Sequence, residues 1–326
     1  MISHVSEAHS PCEARTDGSR ADPVPETGPW PAWPGREVTL DGTVIHVRDT
    51  PGTTPDTEPA LYIHGLGGSG QNWTDLAGLL AGKLDGQAID LPGFGLSEPA
   101  KRYGVAAFAA RVIRWIEESD RGPVHLFGNS LGGAVSVRVA ANRPDLVRTL
   151  TLISPAMPFM DPRWSAHSKL LPMLLLPNVE KIATKRIQAM APADITRAAL
   201  ELCYADPTRI TEDVFQRYTD EAAVRVAQPW YAEAWVRTFR DLVGNFVRAY
   251  LPGSGSLWNL AAHVEAPTLV IAGNEDRLVD VRVAPKVATT IPDSRLLILD
   301  HVGHVAQLEA PRTVARAVLG LLEELS

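Results

Sequence analysis

The sequence has few cysteines, no long apolar run and no excess of basic residues. Only Cys12 and Cys203 occur among 326 residues, so neither a disulfide framework nor a cysteine-based metal site is expected. The net charge of −7 argues against a nucleic-acid or anionic-membrane partner. The longest apolar run, residues 170–176, is interrupted by Pro172 and is too short to span a bilayer. The low cysteine content makes a reducing, cytoplasmic setting the default expectation. The N-terminus lacks a basic start followed by an apolar stretch, so we expect no signal peptide.

The first 35 residues differ in composition from the rest of the chain. Residues 1–35 are rich in Pro, Glu, Ser, Asp and Thr, which is typical of disordered segments. Trp30 and Trp33 are exceptions, and we expect them to pin this tail to the folded part. Over the whole chain 45% of residues are hydrophobic and 21% are charged, the balance of a soluble globular protein. A folded domain is therefore expected from about residue 36.

Short apolar runs alternate with helical patterns on both sides of a long segment that lacks strand signals. The alternation predicts an α/β domain with a mainly parallel central sheet flanked by helices. We assign residues 36–154 and 265–326 to this core. Residues 155–264 carry helical stretches broken by prolines and predict a helical cap inserted in the core. An insertion of this length would cover the carboxyl edge of the sheet, where such folds bind ligands.

A serine lies between glycines at one predicted strand-to-helix turn. Residues 124–127 form a buried strand pattern, residues 134–141 a helical one, and Gly128-Asn129-Ser130-Leu131-Gly132 joins them. This is the G-x-S-x-G pattern of a nucleophile elbow, in which a strained turn projects the serine hydroxyl above the sheet. The pentapeptide alone leaves open a tight turn that merely contains a serine.

Four further loops with unusual residues also follow predicted strands. They are His64–Gly68, Asp90–Gly95, Gly273–Asp276 and His301–His304. Because the carboxyl ends of parallel strands share one edge of a sheet, these loops should converge on Ser130. A serine, histidines, acids and glycine-rich backbone then meet in one place, which is the set of groups that Ser–His–Asp catalysis requires.

In order and spacing these motifs resemble those of α/β-hydrolase-fold enzymes that carry a helical cap. The resemblance runs from about residue 36 to the end. It implies a catalytic triad of Ser130, Asp276 and His304, in the chain order Ser, Asp, His that the family uses. It also implies an oxyanion hole made of the backbone N–H groups of Leu66 and Leu131. His64, which opens the loop before Leu66, is interpreted as a hydrogen-bonded scaffold residue.

The triad residues have competitors in the same loops. His304 is preferred to His301 because Gly303 precedes it, as a glycine precedes the histidine of the family. Asp276 is preferred because it lies a few residues past a predicted strand, where the acid of the family lies. The carboxylates set aside for this role are Glu275, Asp280 and Asp300.

The resemblance implies hydrolytic acyl transfer through a covalent acyl-enzyme, with no metal and no organic cofactor. Serine at the elbow, rather than aspartate or cysteine, is typical of the ester, thioester, amide and C–C bond hydrolases of this fold. We expect a small-molecule substrate, namely a small or medium, mainly apolar carboxylic ester. A non-catalytic binding protein of the same fold is an alternative, but such proteins often lack a triad residue that is present here.

A C–C bond hydrolase is a second alternative. Three motifs resemble the meta-cleavage-product hydrolases of aromatic degradation. They are the elbow, the segment Asp90–Ser97, which reads Asp-x-Pro-Gly-Phe-Gly-x-Ser, and the segment Gly303–Glu309, which reads Gly-His-x-x-Gln-x-Glu. Arg217 in the cap would then correspond to their carboxylate-binding arginine, although a solvated helix residue is the simpler interpretation. The glycine-rich turn at 67–70 and Val305 after the histidine depart from the pattern of those enzymes.

Overall fold

The computed structural model describes residues 12–13, 30–159, 178–251 and 256–326. These ranges contain nine strands and eleven α-helices. The strands are β1 (Cys12–Glu13), β2 (Gly35–Leu40), β3 (Thr43–Thr50), β4 (Glu58–Ile63), β5 (Leu84–Ile89), β6 (Val124–Asn129), β7 (Val147–Ile153), β8 (Thr268–Gly273) and β9 (Ser294–Leu299). The helices are α1 (Thr74–Leu80), α2 (Val105–Ser119), α3 (Leu131–Asn142), α4 (Val179–Gln188), α5 (Pro192–Cys203), α6 (Glu212–Ala227), α7 (Tyr231–Arg248), α8 (Leu257–Ala261), α9 (Val283–Thr290), α10 (Ala306–Glu309) and α11 (Pro311–Leu325).

The strands form a single, mainly parallel sheet in the order β1-β9-β8-β7-β6-β4-β5-β3-β2. Only β2 with β3 and β3 with β5 pair in the antiparallel sense. The register aligns the carboxyl ends of the central strands, because Ile63 lies beside Gly128 and Asn129 lies beside Ile153. The predicted fold class, an α/β sheet with flanking helices and a helical insertion, is confirmed.

The sheet buries both of its faces, as the apolar runs of its strands require. Successive side chains of a strand point to opposite faces, so Leu61 and Ile63 join one core while Tyr62 joins the other. Helices α2, α3 and α9 contribute to the first core, and α1 and α11 to the second. The β6 strand is buried along its whole length and is thereby held rigidly beneath the loop that follows it.

The helices α4 to α8 lie between β7 and β8 and form the described part of the insertion. Residues 160–177 and 252–255, which belong to the same segment, fall outside the described ranges. The exact division of the chain at residues 155 and 264 stays a prediction. Among the described helices, none has the length and apolar character needed to cross a membrane.

The predicted disorder of residues 1–35 falls mostly on residues outside the described ranges. Where this tail is described, it contacts the core: Cys12 and Glu13 pair with β9 as a parallel strand. The indole N–H of Trp33 donates to the carbonyl O of Thr74 over 2.9 Å, and the backbone N–H of Trp30 donates to Asp75 over 3.3 Å. Both tryptophans therefore make the pinning contacts that we expected of them.

Candidate active site

Ser130 lies in the turn between β6 and α3, in the strand–turn–helix context that its motif predicts. Its backbone has φ 54° and ψ −116°, a conformation that a residue with a side chain adopts only when its surroundings impose it. The Ser130 N–H donates to the carbonyl O of Ile153 over 3.0 Å. Its carbonyl O accepts from the N–H groups of Ala134 and Ala156. These three bonds hold the strained turn in place.

The two glycines of the motif stand where backbone segments approach each other closely. A Cβ at Gly128 would lie 2.5 Å from the carbonyl O of Gly132. A Cβ at Gly132 would overlap the carbonyl O of Ile63 at the end of β4. The glycines thus allow helix α3 to start directly above the sheet.

His304 and Asp276 form a buried hydrogen-bonded pair at the same edge of the sheet. The Nδ1 atom of His304 lies 2.8 Å from Oδ2 of Asp276, and each residue is only 4% exposed. The other carboxylate oxygen of Asp276 accepts from the backbone N–H groups of Leu278 and Val279. A carboxylate at Nδ1 fixes the proton on that nitrogen, so the lone pair of the neutral imidazole is on Nε2.

The surroundings of Asp276 favour its ionised form. Burial by itself raises the pKa of this carboxyl group. The charge and the hydrogen bond of His304, together with the N–H groups of Leu278 and Val279, outweigh burial and hold the pKa below its ordinary value. Asp276 is therefore a carboxylate at neutral pH and able to orient the histidine.

Ser130 and His304 line the same cavity, which has a volume of about 140 Å³. The cavity lies between the sheet edge and helices α5 and α6 of the insertion. Its other lining residues are Gly65, Leu66, Gly67, Gly68, Asn72, Asn129, Thr196, Ala199, Leu200, Cys203, Tyr218, Arg225, Leu278, Val305 and Leu308. Most of this wall is apolar.

Burial in this wall raises the pKa of the Cys203 thiol to about 12, so Cys203 is a neutral thiol rather than a nucleophile at neutral pH.

Leu66 and Leu131, the predicted oxyanion donors, lie on the two loops beside Ser130. Leu131 is the first residue of α3, so its N–H has no acceptor within the helix. Leu66 is in a tight turn closed by a bond from the Gly68 N–H to the carbonyl O of Gly65 over 3.0 Å. This turn contacts the elbow, because a Cβ at Gly65 would lie 3.2 Å from the Cβ of Ser130.

His64 supports the turn from below and is fully buried. Its Nε2 atom accepts from the backbone N–H of Leu91 over 2.9 Å, so the proton is on Nδ1, which donates to the carbonyl O of Gly65 over 2.7 Å. Burial lowers the pKa of His64, which keeps the ring neutral. His64 thus has the contacts of the scaffold residue that the sequence suggests.

The competing acids and the competing histidine lie away from this cavity. The side chain of His301 is 79% exposed and pairs with Glu275. Asp280 pairs with Arg282, and Asp300 accepts from the side chain of Asn274. Across the described ranges, no three His, Cys, Asp or Glu side chains are grouped so that they could hold a metal ion.

An arginine does line the cavity, but it is not Arg217, the arginine considered under the C–C hydrolase alternative. Arg217 lies 4.0 Å from Asp75 and faces helix α1, whereas Arg225, on the same helix α6, borders the cavity. Burial lowers the pKa of Arg225, but Tyr231, Glu221 and other neighbours outweigh it and hold the pKa above its ordinary value. Tyr218 and Arg225 are two helical turns apart and therefore lie on the same face of α6. This spacing is the sequence signal that could have indicated which face of the helix borders the cavity.

The chain is similar to hydrolases of known sequence. A family model described as the alpha/beta hydrolase fold matches residues 59–311. A monoacylglycerol lipase of Xenopus laevis is 29% identical over 284 residues, which are 85% of this chain and 78% of the lipase. A 2-hydroxy-6-oxononadienedioate/2-hydroxy-6-oxononatrienedioate hydrolase of Cupriavidus pinatubonensis is 27% identical over 293 residues, which are 85% of this chain and 90% of that hydrolase.

A solved structure also resembles this chain. A bacterial membrane phospholipase A superposes with a TM-score of 0.71 at 24% identity, and the match covers 90% of this chain and 87% of the phospholipase. At that level of identity the likeness shows the fold alone.

Proposed function

Because the chain belongs to the α/β hydrolase fold family, we propose that it is a serine hydrolase that cleaves carboxylic esters through an acyl-enzyme. The observation that supports this most is the buried pair of His304 and Asp276 at a cavity that Ser130 also lines. A free serine hydroxyl is a weak nucleophile and needs such an oriented base.

In the proposed reaction, Nε2 of His304 takes the proton of the Ser130 hydroxyl as the serine oxygen attacks the ester carbonyl carbon. The negative charge that develops on the carbonyl oxygen is stabilised by the N–H groups of Leu66 and Leu131. The protonated His304 then gives its proton to the leaving alcohol as the bond between carbonyl carbon and alkoxy oxygen breaks. A water molecule repeats the sequence on the acyl-enzyme and releases the acid.

The cavity supports a small or medium, mainly apolar acyl group. Its volume of about 140 Å³ is small, and aliphatic side chains form much of its wall. The monoacylglycerol lipase among the relatives agrees with an ester substrate. A series of p-nitrophenyl esters from acetate to dodecanoate tests this proposal, with Ser130→Ala as the control. We expect kcat/KM to peak at a short or medium chain, and absence of turnover for every ester would contradict the proposal.

One observation favours C–C bond hydrolysis as a second candidate. Arg225 borders the cavity, and a guanidinium would complement a substrate carboxylate. A relative of this chain carries the name 2-hydroxy-6-oxononadienedioate/2-hydroxy-6-oxononatrienedioate hydrolase. Incubation with a 2-hydroxy-6-oxo-dienoate distinguishes the two candidates, because cleavage of this compound without turnover of any ester would favour the second.

A further inference from the structure

Arg225 makes a direct contact with the backbone of the predicted oxyanion loop. Its Nη1 atom donates to the carbonyl O of Gly67 over 2.6 Å. Gly67 is the residue after Leu66 and has φ +77°, in the left-handed region that favours glycine. A hydrogen bond from a charged donor is about twice as strong as one between neutral groups. The insertion therefore holds the core loop at the residue next to a predicted oxyanion donor.

The loop needs such an external hold because it is rich in glycine. Three of the four residues from Gly65 to Gly68 are glycines, which lose the most conformational freedom when they are ordered. The core fixes the turn at one point, where the carbonyl O of Gly65 accepts from the imidazole of His64 and from the N–H of Gly68. The bond from Arg225 fixes it at a second point, on the other side of Leu66.

Further groups of the insertion lie against the same loop. A Cβ at Gly67 would lie 3.3 Å from Nε1 of Trp235 and 3.5 Å from the hydroxyl of Tyr231, both on α7. Just after this loop, the side-chain NH₂ of Asn72 donates to the hydroxyl of Tyr218 on α6 over 3.4 Å. The loop is thus covered by α6 and α7, and Arg225 supplies its charged contact.

We propose that Arg225 is a positioning residue, which holds the Gly67 carbonyl so that the N–H of Leu66 is aimed at the developing oxyanion. The oxyanion hole is then complete only when helix α6 is docked on the core. This inference rests on the proposed ester hydrolysis. It assigns to Arg225 an effect on the transition state rather than on substrate binding, because an oxyanion forms only after the serine attacks.

The test compares Arg225→Met with Arg217→Met, using p-nitrophenyl butyrate as the substrate. Arg217 is on the same helix and pairs with Asp75, so its replacement is a matched control. Loss of one oxyanion donor costs about 10²–10³ in kcat, and a displaced donor is expected to cost roughly 10- to 100-fold. We expect this loss in kcat for Arg225→Met with KM within about twofold of wild type. Arg225→Lys should recover part of kcat, because lysine keeps a charged donor.

A second readout separates positioning from a general structural effect. The inhibition constant of a trifluoromethyl ketone, whose adduct carries an oxyanion, should rise in Arg225→Met by about the same factor as kcat/KM falls. The melting temperature should stay within a few degrees of that of Arg217→Met. If Arg225→Met does not fold, Arg225→Lys is measured in its place, and it should show a smaller loss in kcat with KM near that of wild type.

Two results would overturn the inference about Arg225. One is a kcat of Arg225→Met within twofold of wild type (of Arg225→Lys, where Arg225→Met does not fold), and the other is a rise in KM with kcat retained. The second would make Arg225 a substrate-binding residue. A failure of the proposed ester hydrolysis gives a different result, because the wild type itself would then cleave no ester and take no fluorophosphonate label. That result would also contradict the inference about Arg225.

Discussion

The backbone N–H of His304 donates to the carbonyl O of Cys203 over 2.7 Å, so the helical insertion holds the main chain of the catalytic histidine candidate. The same contact explains Gly303, because a Cβ there would overlap the carbonyl O of Cys203. Together with the bond from Arg225 to Gly67, it means that the insertion contacts both loops that face Ser130. The site is therefore built jointly by core and insertion.

Glu309 reinforces this connection, and its replacement by Gln should lower both activity and stability. Its buried carboxylate accepts from the N–H groups of Gly303, Ala205 and Asp206. A glutamine places an NH₂ donor against one of these donors. Leaving a buried donor unsatisfied costs about 1–3 kcal/mol. The free energy of unfolding in urea and the kcat of Glu309→Gln should both be lower than those of Glu275→Gln, which changes an exposed carboxylate and serves as the control. Equal values in the two variants would contradict this role.

Asp276→Asn should lower kcat far more than it lowers stability. An amide no longer fixes the proton on Nδ1 of His304 or stabilises the imidazolium that forms during the reaction, which in Ser–His–Asp enzymes costs on the order of 10⁴ in kcat. The measurement is ester hydrolysis at saturating substrate. Asp300→Asn, at an acid that contacts Asn274 and not the histidine, should stay near wild type. An Asp276→Asn enzyme with more than a tenth of wild-type kcat would contradict the assignment.

Gly132→Ala should destabilise the protein although alanine is ordinarily the better helix former. In an open helix this change gains up to about 1 kcal/mol. Here the new Cβ overlaps the carbonyl O of Ile63, and overpacking of this kind costs about 1–3 kcal/mol. Gly244→Ala, within helix α7, is the matched control, because its nearest neighbour is the flexible end of the Arg248 side chain, with Nη2 3.5 Å away. Equal free energies of unfolding for both variants would show that the elbow is less tightly packed than described.

Stability should fall as the pH is lowered below about 6.5, in part because of His64. Burial lowers the pKa of this ring in the folded protein, whereas the unfolded chain takes up a proton near 6.5. The contribution of His64 is therefore present above pH 6.5 and is lost as the pH falls below it. The free energy of unfolding, measured in urea between pH 5 and 7, should depend less steeply on pH in His64→Gln than in the wild type. The difference in slope is at most that of one proton taken up on unfolding, about 1.4 kcal/mol per pH unit. An unchanged slope would mean that the folded protein protonates His64 as readily as the unfolded chain does.

The sequence predicts those parts of the site that depend on local patterns. The elbow around Ser130 follows from a strand, a glycine-flanked serine and a helix in succession, and the loop of His304 from its place after a strand. Arg225 was missed because its role depends on which face of α6 meets the core. The pairing of Cys12 and Glu13 with β9 was missed as well, since their partner lies far along the chain in a composition typical of disorder.

The most direct test of the account is the site of covalent modification by a fluorophosphonate. The reagent is added to the wild type and to Ser130→Ala, and the labelled peptide is identified by mass spectrometry. We predict a single adduct on Ser130, formed in parallel with the loss of ester hydrolysis, and neither labelling nor hydrolysis in the folded Ser130→Ala variant. An adduct on another residue, or full hydrolysis by Ser130→Ala, would contradict the claim that Ser130 is the nucleophile.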